Sequence, residues 1–377
     1  MKLSSSIRKV IRYVGIYGLG RTWFKAAGRL GLGARLPRLR PSTADIGVIG
    51  CGQFAFATIG YFLRGQSSRL GTCFDINASA QDSFARALGI KETPRTVEEF
   101  LAYEGLRTVY IASNHASHAS YAARTLALGA DTYIEKPIAV ARDQLVDLLV
   151  AKKQSKARVF AGYNRPFSGG IRLLRERVNI DPDKGMTLQC FVSGHAIADD
   201  NWYRRPEEGS RVCGNVGHWL DLMVHMFSWR GMPDKVDINL ASADPARPDD
   251  NVAITITSDR DDLFSVILST RTEPFEGVNE TINFQHNDTI AKIDDFRRIA
   301  IWQGDKLQSK RFWPKDVGHR AAILQPFGTQ PAREWKEVVQ STQLMLHITE
   351  MLRSGTRQAD FSFRESYEQL QHEIEAA

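Results

Sequence analysis

The feature that most constrains this chain is a glycine-rich turn between a short apolar run and a segment of helical character. The run I-G-V-I is followed by G-C-G-Q-F-A at residues 50–55. Gly50 permits a tight turn, Gly52 lets a pyrophosphate approach the backbone, and the small Ala55 allows close packing of helix on strand. The motif predicts a dinucleotide-binding turn whose cofactor-binding residues are Gly50, Gly52, Gln53, Phe54 and Ala55.

An acidic residue follows at the spacing that such a turn requires. The next predicted strand ends in C-F-D-I-N and places Asp75 25 residues after Gly50. A carboxylate at this position accepts hydrogen bonds from the ribose hydroxyls and repels the 2′-phosphate of NADP. The sequence therefore predicts NAD as the cofactor in preference to NADP. The other interpretation of Asp75 is a turn residue at the end of a strand.

The pattern of strands and helices predicts two domains in these 377 residues. From residue 44 to about 165, short apolar runs alternate with helical segments, as in parallel βαβ units. Strand-like stretches separated by polar turns then predict an antiparallel sheet. The predicted fold class is α/β, a doubly wound parallel Rossmann sheet followed by an α+β domain with a large open antiparallel sheet. The expected boundaries are 1–43 for a basic arm and linker, 44–165 for the NAD-binding domain and 166–377 for a substrate and oligomerisation domain.

The positive charge of the chain is concentrated in the predicted arm. Ten Lys or Arg and no acidic residue fall between Met1 and Arg40, within a net charge of +6 for the whole chain. Such a segment favours a basic amphipathic helix at residues 1–30, which rests on anionic lipid or packs on its own protein or a second subunit. The sequence has no nucleic-acid-binding motif, so nucleic acid is not an expected partner.

The four cysteines have no CxxC spacing, and the sequence predicts neither a metal site nor disulfides.

The stretch Y-I-E-K-P-I-A puts Glu135, Lys136 and a proline at the end of a predicted strand. In a doubly wound sheet, ligands lie outside the carboxyl ends of the strands. The Lys136 ammonium could therefore hydrogen-bond a substrate hydroxyl, stabilise a developing alkoxide, or take a proton if its pKa is lowered. The proline fixes the backbone beyond it, and an X-Pro bond permits a cis peptide. The alternative is an exposed ion pair between neighbours.

Three motifs resemble the glucose-fructose oxidoreductase / inositol dehydrogenase (Gfo/Idh/MocA) family over about residues 44–375. They are G-C-G-Q-F-A, I-A-S-N-H-A-S-H followed by Y-I-E-K-P-I-A, and A-G-Y-N-R-P-F-S. The segment E-E-G-S-R-V-C-G-N-V-G-H-W-L-D-L is similar to a branch associated with nucleotide sugars and surface polysaccharides. The resemblance implies that the first domain binds NAD(P), and that the second lines the substrate site and mediates assembly into a homo-oligomer, a dimer or tetramer.

The resemblance also implies roles for single residues. Lys136 would be the catalytic lysine, and His218 the histidine that faces the substrate carbon and exchanges its proton. A histidine bonded to backbone at a helix start is the other interpretation of His218. Further cofactor-binding residues would be Ser113, Asn114, His118, Glu135, Asn164 and Arg165. Substrate-binding residues would be Tyr163, Trp202, Arg204, Asn215 and Asp221.

The predicted function is that of a cytoplasmic NAD-dependent oxidoreductase acting on a sugar or nucleotide-sugar hydroxyl or ketone, in glycan or polysaccharide metabolism. Four positions lack a charge that is usual in the similar branch: Asn215, Pro166, Asn279 and Val317. These departures leave a second hypothesis open: a catalytically silent nucleotide-binding scaffold of a membrane-associated glycan assembly. In that case the protein would lie peripherally at the inner face of the membrane.

Overall fold

The computed structural model describes residues 5–29, 44–275, 277–328 and 333–377. These residues form two compact units. The parallel-sheet unit contains the described residues of Tyr17–Gly162 and His319–Arg333. The mixed-sheet unit contains those of Met1–Ile16, Tyr163–Gly318 and Glu334–Ala376. Residues 1–4 and 30–43 of the predicted arm and linker lie outside the described residues.

The chain begins with α1 (Ser5–Arg29), whose helical geometry is interrupted at Gly18. The strands of the parallel-sheet unit are β1 (Ile46–Ile49), β2 (Leu70–Phe74), β3 (Thr108–Ile111), β4 (Asp131–Ile134) and β5 (Val159–Ala161). Its helices are α2 (Tyr61–Leu63), α3 (Ala78–Leu88), α4 (Val97–Leu101), α5 (His118–Ala127) and α6 (Arg142–Gln154). A π-helical turn, Ala55–Gly60, leads into α2, and a 3-10 helix, Arg64–Arg69, follows it.

The five strands form one parallel sheet in the order β2-β1-β3-β4-β5, which confirms the predicted parallel sheet. Strands β1, β2 and β3 are buried along their whole length, as expected for strands covered on both faces. The chain reverses direction along the sheet at β1, so the carboxyl ends of β1 and β3 form the topological switch point where ligands bind in such sheets.

Local sequence accounts for the bounds of α3 at residues 78–88. The side chain of Asn77 accepts hydrogen bonds from the backbone N–H groups of Ser79 and Ala80, at 3.0 and 3.2 Å. Gly89 ends the helix in the left-handed conformation, with φ 68°.

The strands of the mixed-sheet unit are β6 (Thr187–Ser193), β7 (Lys235–Ser242), β8 (Val252–Ser258), β9 (Leu263–Ser269), β10 (Asn279–His286), β11 (Thr289–Asp294), β12 (Arg298–Gln303), β13 (Lys306–Arg311) and β14 (Gln358–Ser362). The helices that follow α6 are α7 (Gly169–Arg177), α8 (Gly217–Phe227), α9 (His319–Ile323), α10 (Trp335–Ser354) and α11 (Phe363–Ala376), of which α9 belongs to the parallel-sheet unit.

The second sheet has nine strands in the order β13-β12-β11-β10-β6-β9-β8-β7-β14. All neighbours are antiparallel except β6 and β9, which pair in parallel. The predicted antiparallel sheet is therefore mixed, because the chain passes through α8 and the hairpin β7–β8 between these two strands, a crossover that parallel pairing requires. The sequence analysis did not predict β13, which is charged and exposed throughout, or β14.

A buried group of four charged side chains fixes the start of the mixed-sheet unit. The Arg165 guanidinium donates through Nε and Nη2 to the two oxygens of Glu280, at 3.0 and 3.1 Å, and lies 4.5 Å from the ring of Trp219. Beside them Lys315 Nζ donates to Asp295 Oδ1 at 2.5 Å, and the backbone N–H of Glu280 donates to the same oxygen at 3.4 Å. Each charge has an opposite neighbour, which is the condition for burying it.

Removing one member of the bidentate pair leaves a buried charge without its counterion. We expect Arg165→Met to lower the free energy of unfolding by about 3–5 kcal/mol. The double variant Arg165→Met/Glu280→Gln should be less destabilised than Arg165→Met, because no uncompensated charge remains. Urea titration followed by tryptophan fluorescence measures both. The control Arg364→Met breaks an exposed pair with Asp234 and should cost at most about 1 kcal/mol. Equal losses in Arg165→Met and Arg364→Met would contradict the expectation.

Candidate active site

The glycine-rich turn lies at the switch point of the parallel sheet. Gly50 has φ +89°, and a Cβ atom there would lie 2.4 Å from the backbone carbon of Ala112. The Gly50 N–H donates to the carbonyl of Phe74, and the Ala112 N–H donates to the carbonyl of Ile49, each at 2.8 Å. Only glycine meets both the conformation and the close contact, so the turn fits tightly between the ends of β2 and β3.

The second glycine faces open space. A Cβ atom at Gly52 would meet no heavy atom within 4 Å, and Gly52, Gln53 and Phe54 are exposed. The carbonyl of Gly52 accepts from the N–H of Phe56 at 2.8 Å, so the helical segment begins directly after the glycine. Room above the backbone, at the start of this helical segment, is what a pyrophosphate group requires. The turn therefore fits a bound dinucleotide.

Asp75 holds the turn from the end of β2. Its Oδ2 accepts from the backbone N–H of Cys51 at 2.6 Å, and its Oδ1 accepts from the N–H of Asn77 at 2.7 Å. Both interpretations of Asp75 therefore have a physical basis, because each carboxylate oxygen keeps a second lone pair that ribose hydroxyls could use.

The segment after β3 forms a hydrogen-bonded loop. Ser117 Oγ donates to the backbone carbonyl of Asn114 at 2.8 Å, and Ser113 Oγ lies 2.7 Å from Ser117 Oγ. His118 is buried, with Nδ1 2.7 Å from the carbonyl of Pro137 and Nε2 3.1 Å from that of Ser113. His118 thus connects the ends of β3 and β4, and Asn114 stays exposed.

Glu135 is buried beside Lys136 at the end of β4. Tyr133 Oη donates to Glu135 Oε1 at 2.9 Å, and the backbone N–H of Lys136 donates to Oε2 at 3.2 Å. A Cβ atom at position 162 would lie 2.7 Å from Oε1, so Gly162 makes the room for this carboxyl group. Burial raises the pKa of Glu135 to about 7, although the charge of Lys136 opposes the shift. The Lys136–Pro137 peptide is cis, and the Lys136 side chain is half-buried.

In the mixed-sheet unit, Tyr163 and His218 lie together. Their rings are 6.3 Å apart and nearly perpendicular, and His218 is half-buried near the start of α8. The neighbouring Asn164 is fully buried and donates through Nδ2 to the carbonyl of Val317 at 2.5 Å. Asn164 and Arg165, both predicted to bind the cofactor, thus have structural partners inside the unit.

Two predicted substrate-binding residues of this unit, Asn215 and Arg204, are hydrogen-bonded to other side chains of the unit. Asn215 Oδ1 accepts from Arg211 Nε at 3.1 Å, and Arg211 Nη1 donates to Asp250 Oδ1 at 2.8 Å. Arg204 Nη2 donates to the other oxygen of Asp250, also at 2.8 Å. Burial opposes the ionisation of Asp250, but these hydrogen bonds from Arg204 and Arg211 keep its pKa below the ordinary value. A phosphate or carboxylate that bound Arg204 would compete with Asp250.

Two further predicted residues have contrasting environments. Asp221 is fully buried and accepts from Ser341 Oγ at 3.0 Å, which gives it a structural partner. Trp202 is 40% exposed, with its ring 5.1 Å from that of Tyr203, so its indole can stack on a sugar or a base.

The sequence analysis missed the residues that position the predicted ones. Their signals were weak: single charged residues on strands or loops far away in sequence, and a glycine in a strand-to-turn segment. They are Gly162, Arg211, Asp250 and Glu280.

Among the described residues, no group of three or more His, Cys, Asp or Glu could hold a metal ion, and no helix is both long and apolar enough to span a bilayer. The four cysteines are buried thiols.

The two glycines of the turn should respond differently to the same substitution. Gly50→Ala places an L residue at positive φ and forces the backbone of Ala112 to move, so we expect it to lose at least about 2 kcal/mol of stability. Gly52→Ala enters open space and should change stability by less than about 0.5 kcal/mol. Denaturant titration of the two variants measures the difference. A stable Gly50→Ala protein would disprove the tight contact with β3.

The raised pKa of Glu135 predicts a pH dependence of stability. A carboxyl group with a pKa near 7 in the folded state and 4.5 in the unfolded chain stabilises the fold fully below pH 4.5, and this contribution is lost as the pH rises through 7. Relative to Glu135→Gln, the wild type should lose about 3 kcal/mol over this range.

Comparison with the variant is needed because burial lowers the pKa of His118 to about 4, which gives the opposite slope between pH 4 and 6.5. Urea titrations at a series of pH values provide the measurement, and the exposed Glu104→Gln serves as control. A constant difference between wild type and Glu135→Gln would mean that Glu135 is ionised throughout.

Comparison with known proteins finds that part of the chain is similar to one oxidoreductase family. Residues 44–163 match the model of an oxidoreductase family with an NAD-binding Rossmann fold, GFO_IDH_MocA. Oxidoreductase P35 of Formosa agariphila is 29% identical over 196 residues, which cover 49% of this chain and 61% of the relative. Inositol 2-dehydrogenase of Ralstonia nicotianae is 26% identical over 186 residues, which cover 48% of this chain and 52% of the relative. The chain thus spans little more than half the length of these curated relatives.

A solved structure extends the likeness in fold to most of the chain. The WlbA dehydrogenase from Bordetella pertussis, in complex with NADH and UDP-GlcNAcA, matches with a TM-score of 0.66 and 16% identity, and the match covers 85% of this chain and 99% of that one. At this identity the likeness concerns the fold alone. Together with the family model, it confirms the predicted architecture of a Rossmann sheet followed by a large second sheet. Residues 44–163 are thus similar to the NAD-binding Rossmann domain of the Gfo/Idh/MocA oxidoreductase family.

Proposed function

We propose that the protein is an NAD-dependent oxidoreductase that transfers hydride between the nicotinamide and a hydroxyl or ketone carbon of a sugar or nucleotide sugar. The observation that carries the proposal is the turn at Gly50–Gly52, which fits a dinucleotide and lies in the segment that matches the NAD-binding family model. The names of the relatives support the substrate class, because they act on inositol or bind a nucleotide sugar.

The parallel-sheet unit supplies the residues for the cofactor. The open face of Gly52 would receive the pyrophosphate, and the backbone N–H groups at the start of the following helical segment would bind its oxygens. Asp75 would accept the ribose hydroxyls, and its negative charge would disfavour the extra phosphate of NADP. When bound, the nicotinamide supplies the hydride acceptor or donor.

The proton that accompanies hydride transfer requires a protein group. We assign it to Lys136 and His218, as the family motifs imply. A Lys136 ammonium can donate to the oxygen of a substrate hydroxyl and stabilise negative charge that develops on it. An imidazole ring can exchange a proton in this chemistry, so a ring nitrogen of His218 would take the hydroxyl proton or return it. The raised pKa of Glu135 means that its carboxyl group takes up or releases a proton near pH 7 next to Lys136.

The remaining parts of the proposal concern substrate and assembly. The exposed indole of Trp202 would stack on a sugar or base. The outer face of the nine-stranded sheet carries exposed large side chains, including Phe191, Ile290 and Trp302, and would mediate assembly into a dimer or tetramer. We place the enzyme in the cytoplasm, in glycan or polysaccharide metabolism.

The proposal predicts that chemistry and cofactor binding respond to different substitutions. Lys136→Met should abolish turnover and leave NAD binding nearly unchanged, since the lysine acts on the substrate. His218→Asn should lower kcat by at least about 100-fold for the same reason. Gly52→Ala is the complementary control and should weaken NAD binding, because the new methyl group occupies the space assigned to the pyrophosphate. The substrate is first identified by native mass spectrometry of the purified protein and a panel of nucleotide sugars, with NADH absorbance as the readout.

Simultaneous loss of NAD binding and turnover in Lys136→Met would assign a structural role to the lysine. If the protein binds NAD but no nucleotide sugar or sugar changes the NADH absorbance, the silent scaffold is favoured. The four positions that lack a usual charge, Pro166, Asn215, Asn279 and Val317, are the observation behind that second function.

A further inference from the structure

The N-terminal half of α1 differs in exposure from the rest of the helix. Residues 7–12 are all exposed, whereas Ile16, Thr22 and Ala27 are buried. One side of the second half packs within the parallel-sheet unit, where the ring of Phe24 lies 5.1 Å from that of Phe56, while Leu19 and Trp23 stay exposed. Part of the second half therefore packs on its own protein, and the uniformly exposed first two turns are left to be explained.

Those two turns combine apolar and cationic side chains. Ile7, Val10 and Ile11 are 49%, 52% and 57% exposed, and their spacing puts them on one face of the helix. Arg8, Lys9 and Arg12 alternate with them along the sequence and are also exposed. We call these six residues the N-terminal patch. Between Ser5 and Arg29 the sequence has six Lys or Arg and no Asp or Glu.

The mixed-sheet unit adds aromatic side chains next to this patch. Lys9 and Arg12 lie over the ring of Phe275, 5.8 and 5.5 Å from its centre. Trp313 is 71% exposed, and its indole N–H donates to the carbonyl of Gly15 at 2.8 Å. An indole anchored by its N–H with the ring exposed is typical of side chains at a membrane interface. One acidic residue, Glu273, lies on the same loop as Phe275, and its carboxylate bonds to His195 and to the backbone N–H of Ala196.

We propose that the N-terminal patch binds the surface of an anionic lipid bilayer, with Ile7, Val10 and Ile11 between the headgroups and the three cations on lipid phosphates. This contact goes beyond the oxidoreductase function and does not depend on it. Exposed aliphatic side chains on a helix segment whose charged residues are all cations match a surface that is apolar inside and negative outside.

Charge argues against a second copy of the chain as the occupant. In a two-fold contact the same patch would face itself, and the three cations of one copy would lie opposite those of the other on a helix whose sequence between Ser5 and Arg29 contains no Asp or Glu. Nucleic acid would use the cations but would leave the aliphatic residues in water.

The test is sedimentation of the full-length protein with vesicles of phosphatidylcholine alone or mixed with phosphatidylglycerol. We expect binding to the mixed vesicles only, and binding should weaken as salt rises. The variant Arg8→Gln/Lys9→Gln/Arg12→Gln should lower the partition coefficient about 100-fold, roughly fivefold for each charge. The control Lys91→Gln/Lys153→Gln/Lys156→Gln removes the same charge from exposed sites of the parallel-sheet unit and should bind as the wild type does.

A second pair of variants tests how much the apolar side chains contribute to vesicle binding, without changing the charge of the protein. Ile11→Ser should weaken vesicle binding, and Leu128→Ser, at a site with similar exposure of 50%, should not. The proposal is overturned if the wild type does not sediment with mixed vesicles, or if the two triple variants bind equally. It is also overturned if Ile11→Ser turns an oligomer into a monomer, measured by light scattering, while vesicle binding stays unchanged. In that case the occupant is a second copy.

Discussion

The contact between Gly50 and the end of β3 constrains the parallel-sheet unit more than any other. The Gly50 backbone lies against Ala112 so closely that no side chain fits, and its N–H is bonded to the end of β2. The turn is thereby held between the two neighbours of β1, at the switch point of the sheet. Asp75 can reach the Cys51 N–H only because β2 ends beside this turn. The same packing leaves the face of Gly52 open.

Buried ionisable side chains in this protein have two kinds of hydrogen-bond partner. In the mixed-sheet unit, each of the buried side chains Arg165, Arg211 and Arg230 bonds to a carboxylate, from Glu280, Asp250 and Asp262 respectively. These pairs connect segments that lie 115, 39 and 32 positions apart in sequence and compensate the cost of removing charge from water. Glu135 is different, because its hydrogen bonds come from a tyrosine hydroxyl and a backbone N–H. Burial outweighs these hydrogen bonds and raises the pKa of its carboxyl group to about 7, which suits a position next to a lysine assigned to proton transfer.

The first helix has two parts with different chemistry, separated by Gly18. Beyond Gly18 the helix buries Thr22 and Ala27 and packs Phe24 against Phe56 within the parallel-sheet unit. Before it, the carbonyls of Gly15 and Ile16 accept hydrogen bonds from Trp313 Nε1 and from the N–H of Lys315. The side chains of residues 7–12 are exposed.

The sequence by itself determined the parallel sheet and the position of the cofactor turn. These features depend on local patterns: apolar runs, helix caps such as Asn77, and glycines at fixed spacing. Likewise, the motif around Lys136 could be located because its residues are adjacent in the chain. The contacts of Arg165, Arg204 and Asp221 were decided only by the tertiary structure, since their partners Glu280, Asp250 and Ser341 lie 115, 46 and 120 positions away. The parallel pairing of β6 with β9 and the strands β13 and β14 also depended on tertiary structure. No local pattern specifies which distant strand or charge becomes a neighbour, because that choice is made when the whole unit packs.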